Sequence, residues 1–219
     1  MGFLLLALAG GSFVASGAAG AFSGKVPTVA VVRVGILAEI VGIAWAGFII
    51  GPDAAWGWLI PALAVYGFGV GLATAQLTGV ILQDVPVEKS GQGSGMQSTA
   101  RQVGSALGVA ILGTVLFTTT GGVLAASLDD AGVPAAQADT VVSAVVDSAG
   151  AAIAGFEADP AQAQIADAAR TAFSDGTRAS ALTAAGFLVI GLGATFALGS
   201  GRRREESQES RPAERVQGS

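Results

Sequence analysis

Gly67 to Leu116 reads GFGVGLATAQLTGVILQDVPVEKSGQGSGMQSTARQVGSALGVAILGTVL: two glycine-rich apolar stretches joined by a short polar turn. Each stretch approaches the roughly 20 apolar residues needed to cross a bilayer. Lipid provides no hydrophobic drive for one helix to seek another, so helices in a membrane bundle associate through close backbone approach, which favours small residues at four-residue spacing. Gly67, Gly71, Ala75 and Gly79 form such a stripe, and Gly104 with Gly108 forms a second. The turn, from Gln83 to Ser94, carries Pro86, which ends the helix before it, and then alternating glycines that let the backbone reverse. Its Asp84, Glu88 and Lys89 read as solvated loop charge, with a gating contact as the lesser reading.

The composition agrees with a membrane setting. Of 219 residues, 52% are apolar and only 12% charged, a balance that soluble domains rarely show. No cysteine and no histidine occur, which removes disulfides, thiolate nucleophiles, histidine bases and the usual zinc sites. The sequence therefore points away from an enzyme, with no catalytic residue, metal ligand or organic cofactor to nominate. The net charge of -5 argues against nucleic acid as a partner.

Five stretches qualify as spans, at residues 3–22, 31–50, 58–82, 95–117 and 178–198. The first also resembles an export signal with small residues Ala19-Gly20-Ala21, but no positive charge precedes Phe3, so a spanning helix is preferred. Residues 1–120 thus hold four spans, 121–177 an outer acidic loop, 178–198 the fifth span and 199–219 a tail without periodicity, expected to be disordered. Lys and Arg stay on the cytoplasmic side. Lys25, Arg33, Lys89, Arg101 and Arg202 to Arg204 fall together on one side. The segment from Gly121 to Gly176 carries Asp129, Asp130, Asp139, Asp147, Glu157, Asp159, Asp167 and Asp175 against a single Arg170. That asymmetry places the N-terminus outside and the C-terminus in the cytoplasm.

The outer segment has helical periodicity of its own. Val141, Val142, Val145, Val146, Ala149, Ile153 and Phe156 recur at spacings of three and four, which marks one helix face. Asp159-Pro160 reads as an N-cap with proline at the first helical position, opening a second helix through Ile165, Ala169 and Phe173. The fold class is an all-α integral membrane bundle with short amphipathic helices in its outer loop.

Polar residues inside the spans are the site candidates. Glu39 stands near the middle of the second span, where an acidic side chain costs roughly 2.5 to 3.5 kcal/mol to insert. Such a group usually faces a cavity or a partner and is suited to taking and releasing a proton; a structural hydrogen bond to a neighbouring helix is the other reading. Arg101, with Gln102 beside it, sits about two turns inside the fourth span and reads either as an organiser of the inner gate or as an interfacial snorkel. Trp56 and Trp58 fit the outer aromatic belt, whereas Trp45 and Tyr66 lie deeper and either line a cavity or pack. Gly69 and Gly71 imitate part of a dinucleotide fingerprint, but Thr74 occupies the third glycine position and no strand precedes them.

Val85 to Val115, VPVEKSGQGSGMQSTARQVGSALGVAILGTV, resembles the connection between spans twelve and thirteen, and span thirteen itself, of the fourteen-helix drug:proton antiporters of the major facilitator superfamily, the QacA and EmrB type. Gly91, Ser94, Gly95, Arg101, Gly104, Gly108 and Ala110 carry the resemblance. It implies that the five spans are spans ten to fourteen, in a bacterial plasma membrane. It further implies proton-coupled export of small amphipathic compounds, with the proton as coupling ion and no other cofactor. The family's earlier spans and their acidic and antiporter motifs are not in this sequence, so the resemblance implies a C-terminal portion, incomplete on its own, whose partners are lipid and a missing N-terminal half or a partner membrane subunit. The alternative is a small non-transporting membrane protein that assembles with partner helices through its glycine faces.

Overall fold

The computed structural model describes residues 2–22, 26–52, 56–82, 86 and 89–209. The described residues are helical apart from turns and connections. The helices are α1 (Gly2–Phe22), α2 (Thr28–Ile49), α3 (Trp56–Leu82), α4 (Ser90–Asp130), α5 (Ala135–Asp147), α6 (Ile153–Glu157) and, after a 3-10 turn at Pro160–Gln162, α7 (Ala163–Glu209). Among the described residues, four helical segments are long and apolar enough to cross a membrane: Thr28–Ile49, Gly57–Gln76, Ser90–Asp130 and Pro160–Phe196. The first expected span, residues 3–22, falls on α1, in which Gly2–Ala18 forms a shorter apolar helix. The protein is an all-α, multi-pass membrane bundle.

Two packed units share the long helices. In the first, α3 lies between α1 and α2, and α2 also packs on the later part of α7. Here the glycines are spent on close approach. A Cβ at Gly11 would strike the backbone of Ala64 and Phe68, one at Gly35 would strike Ala73, and one at Gly42 would strike Tyr66. Ala15 and Leu72 are buried between α1 and α3, and the Ser12 hydroxyl donates to the Gly67 carbonyl at 2.8 Å.

The second unit is built where α4 and α7 run past the bilayer. At 1.5 Å per residue, the 41 residues of α4 and 47 of α7 extend about 60 and 70 Å, twice the hydrocarbon thickness. Their overhanging ends pack with α5 and α6 around Leu124, Leu128, Ala138, Val141, Val145, Ala169 and Ala172, with Ile153, Phe156 and Ile165 packed against them. The outer segment is thus a helical cap with its own apolar core. Its expected first helix does not run from Val141 to Phe156. It stops at Asp147, where Ala149 turns left-handed at φ 51° and the Gly150 N–H donates back to the Val145 carbonyl at 2.8 Å. That break lets α6 fold back over the core. The other end of the hairpin closes in the same way: Gly132 takes φ 73° and the Val133 N–H donates to the Leu128 carbonyl at 3.0 Å.

Asp159 caps the second expected helix. Its carboxylate accepts the Ala161 N–H at 3.0 Å and the Gln162 side-chain amide at 2.8 Å. These two donors, the side-chain amide foremost, hold Asp159 below its ordinary value of 3.8. This helix does not end before the expected fifth span at residue 178; after the 3-10 turn, α7 continues unbroken to Glu209. Helix also replaces the expected disorder over residues 202–209, a run of Arg, Glu and Gln, which are strong helix formers. Residues 210–219 of the expected tail lie outside the described residues.

Candidate functional site

Glu39 is half-buried on α2 at its seam with α3. Gly69 of α3 makes room for it: a Cβ there would lie 2.5 Å from the Glu39 amide nitrogen and 2.8 Å from its Cγ. Tyr66, one turn away on α3, packs against Gly42, one turn from Glu39 on α2. Trp45 continues along α2, half-buried. A carboxyl, a phenol and an indole therefore lie along one pair of helices. Among the described residues no side chain forms a hydrogen bond or ion pair with the Glu39 carboxyl.

Arg101 and Gln102 are elsewhere. Both are exposed on the early part of α4, which does not pack on α2. Met96, Val103, Leu107 and Val109 are 78%, 54%, 59% and 72% exposed, so several sides of this half-helix are uncovered. Gly104 and Gly108 meet nothing within 4 Å. The reason lies higher up α4. The helix holds α7 at a crossing where the Ser180 hydroxyl donates to the Leu112 carbonyl at 2.7 Å and Gly176 rests on the Leu116 carbonyl and Thr120, and it diverges before that crossing. Thr120 is fully buried there, with no hydrogen-bond partner for its hydroxyl. In the other stripe, Gly67 abuts the Leu8 backbone and Gly71 the Ser12 backbone, whereas Ala75 is exposed. The side chain of position 79 lies outside the described residues.

Two arginines join α2 to α7, and one of them, Arg33, goes beyond its reading as a topology signal. The Arg33 guanidinium of α2 donates to the Thr195 carbonyl of α7 at 2.8 Å and to the Thr195 hydroxyl at 3.3 Å, and lies 4.0 Å over the Phe196 ring. At the opposite end of the same helix pair, Arg178 of α7 lies 5.7 Å from the Phe48 ring of α2. Each helix thus lends an arginine to the other's phenylalanine, and α2 and α7 are clamped at both ends. Antiparallel pairing with Arg and Phe at matched ends is the sequence signal, but it requires knowing that α2 and α7 are neighbours.

Parts of the chain are similar to curated transporters. Over 72 residues the chain is 39% identical to the "Probable actinorhodin transporter" of Streptomyces coelicolor, covering 33% of this chain and 12% of that protein. Over 91 residues it is 33% identical to "Multidrug resistance protein Stp" of Mycobacterium tuberculosis, covering 42% of this chain and 17% of the relative. Over 129 residues it is 33% identical to "Multidrug efflux pump LfrA" of Mycolicibacterium smegmatis, 58% of this chain and 24% of the relative. These matches therefore span a quarter or less of the relatives' length. No family model and no solved structure matches. The curated relatives are transporters rather than enzymes.

Proposed function

We propose that this chain is the C-terminal part of a secondary active multidrug efflux transporter, exporting small amphipathic molecules in exchange for protons across a bacterial plasma membrane. The observation that carries the reading is the uncovered early half of α4, where Met96, Val103, Leu107 and Val109 are exposed and Gly104 and Gly108 meet nothing among the described residues. Such a half-helix is what remains when the rest of a bundle is supplied by other spans, and the relatives are named as a transporter, a multidrug resistance protein and a multidrug efflux pump. In this reading Glu39 carries the proton. Tyr66 and Trp45 line the pathway beside it, and Arg101 and Gln102 organise the cytoplasmic end of α4 once the remaining spans enclose them. Gly67, Gly71, Gly104 and Gly108 are the helix contacts that permit one part of the bundle to rock against the other.

The test is a chimera in which this chain replaces the segment of LfrA that it matches, expressed in an efflux-deficient host. The chimera should lower the accumulation of a lipophilic dye until an uncoupler is added. Glu39→Gln keeps shape and hydrogen bonding but removes the proton site, so efflux should fall at least tenfold with membrane insertion unchanged. Efflux by Glu39→Gln at the parent rate across the pH range contradicts the role of Glu39.

A further inference from the structure

Where the cap meets the membrane bundle there is a cavity of about 340 Å3. One wall is apolar and comes from the outer ends of α2 and α3: Ile49, Ile50, Pro52 and Leu59. The opposite wall is a single stripe of α7, in which Arg170, Phe173, Ser174 and Thr177 stand at i, i+3, i+4 and i+7. The cavity is therefore two-sided, greasy against the bundle and hydrogen-bonding along α7. Most of its lining is apolar, with a few convergent polar groups, which is the usual construction of a small-molecule site.

Charge narrows the occupant. From Gly121 to Gly176 the outer segment carries eight acids, and Arg170, its single base, is the group that lines this cavity. A second guanidinium, Arg178, stands two turns further along α7 over Phe48, next to the cavity residue Ile49. Glu157 pairs with Arg170 through Nε at 3.4 Å, both half-exposed, which engages one of the five N–H donors of the fork. Among the residues that line the cavity Arg170 is the one charged group, and its pairing with Glu157 leaves the rest of the fork to meet an anion. We propose that this seam is a binding site for an anionic amphiphile of fatty-acid size, with its carboxylate on Arg170 and its apolar body against Ile49, Ile50, Pro52 and Leu59. The proposal rests on the cavity alone and stands independently of the transport reading.

The full chain in nanodiscs of neutral phosphatidylcholine supplies the test, with laurate, methyl laurate and dodecyltrimethylammonium as probes and empty discs as the blank. Laurate should bind saturably and at least tenfold more tightly than the ester or the ammonium. Arg170→Gln should weaken laurate at least tenfold and leave the ammonium unchanged. Glu157→Gln breaks the same ion pair but frees the guanidinium, so it should preserve or tighten laurate binding; a mere loss of cap structure would weaken binding in both variants. Thr177→Trp, which fills the cavity, should abolish saturable binding. Equal binding of the three probes, or laurate binding unmoved by Arg170→Gln, overturns the proposal and leaves an apolar groove that takes lipid without regard to charge. Parallel loss of laurate in Arg170→Gln and Glu157→Gln also overturns it.

Discussion

Ala149 holds a backbone conformation that suits glycine. At φ 51° its Cβ crowds the following carbonyl, a cost of roughly 1–2 kcal/mol, and it persists because the turn after α5 must bring α6 over the cap core. Ala149→Gly should stabilise the cap by about 1 kcal/mol, read as a higher thermal midpoint of the purified protein. A lower midpoint would mean that the methyl group packs more than it strains. Asp159 sets a pH limit on the same cap. Its folded value lies below 3.8, so its stabilisation is present above that value and is lost as pH falls through the folded one. Amide exchange at Ala161 and Gln162 should be slow near neutrality and accelerate below about pH 4 relative to the α5 amides. Asp159→Ala should remove that step, and a step that survives the substitution would assign it to another carboxyl.

Small residues do different work on α3 and α4. Gly71 lies against the Ser12 backbone, so Gly71→Leu should force α1 and α3 apart and lower the folded yield in detergent several-fold, while Leu at Val70 should be mild. Gly108 meets nothing among the described residues, so Gly108→Leu should be silent here and damaging in the LfrA chimera, where the remaining spans cover it. Damage in both settings would place a contact on that face within the chain itself. This difference also explains what the sequence could reveal. Spacing identifies Gly67 and Gly104 alike as small-residue stripes, but only the path of α4 past the Ser180–Leu112 crossing decides which stripe finds a neighbour. Glu39 was legible because a charge inside an apolar run is costly wherever the run packs. The Arg33–Phe196 and Arg178–Phe48 clamps were not, since each spans well over a hundred residues of chain and depends on tertiary pairing. The cap helices were visible as periodicity, and their break at Ala149 was not, because alanine is the strongest helix former and gives no sign of a left-handed turn.

At the scale of the molecule, one membrane bundle and one helical cap share α4 and α7, and the acids gather on the cap. The charge asymmetry predicts one arrangement, with the cap outside and the C-terminus in the cytoplasm. The chain contains no cysteine, which allows a clean measurement. Ser143 is exposed on α5, and Ser207 lies in the basic and acidic run after the last apolar stretch. Single cysteines at these two positions, treated on intact cells with a membrane-impermeant maleimide, test the arrangement on which the coupling proposal depends. Labelling at Ser143→Cys without permeabilisation, and at Ser207→Cys only after it, is the predicted result; labelling at Ser207→Cys alone on intact cells would contradict it.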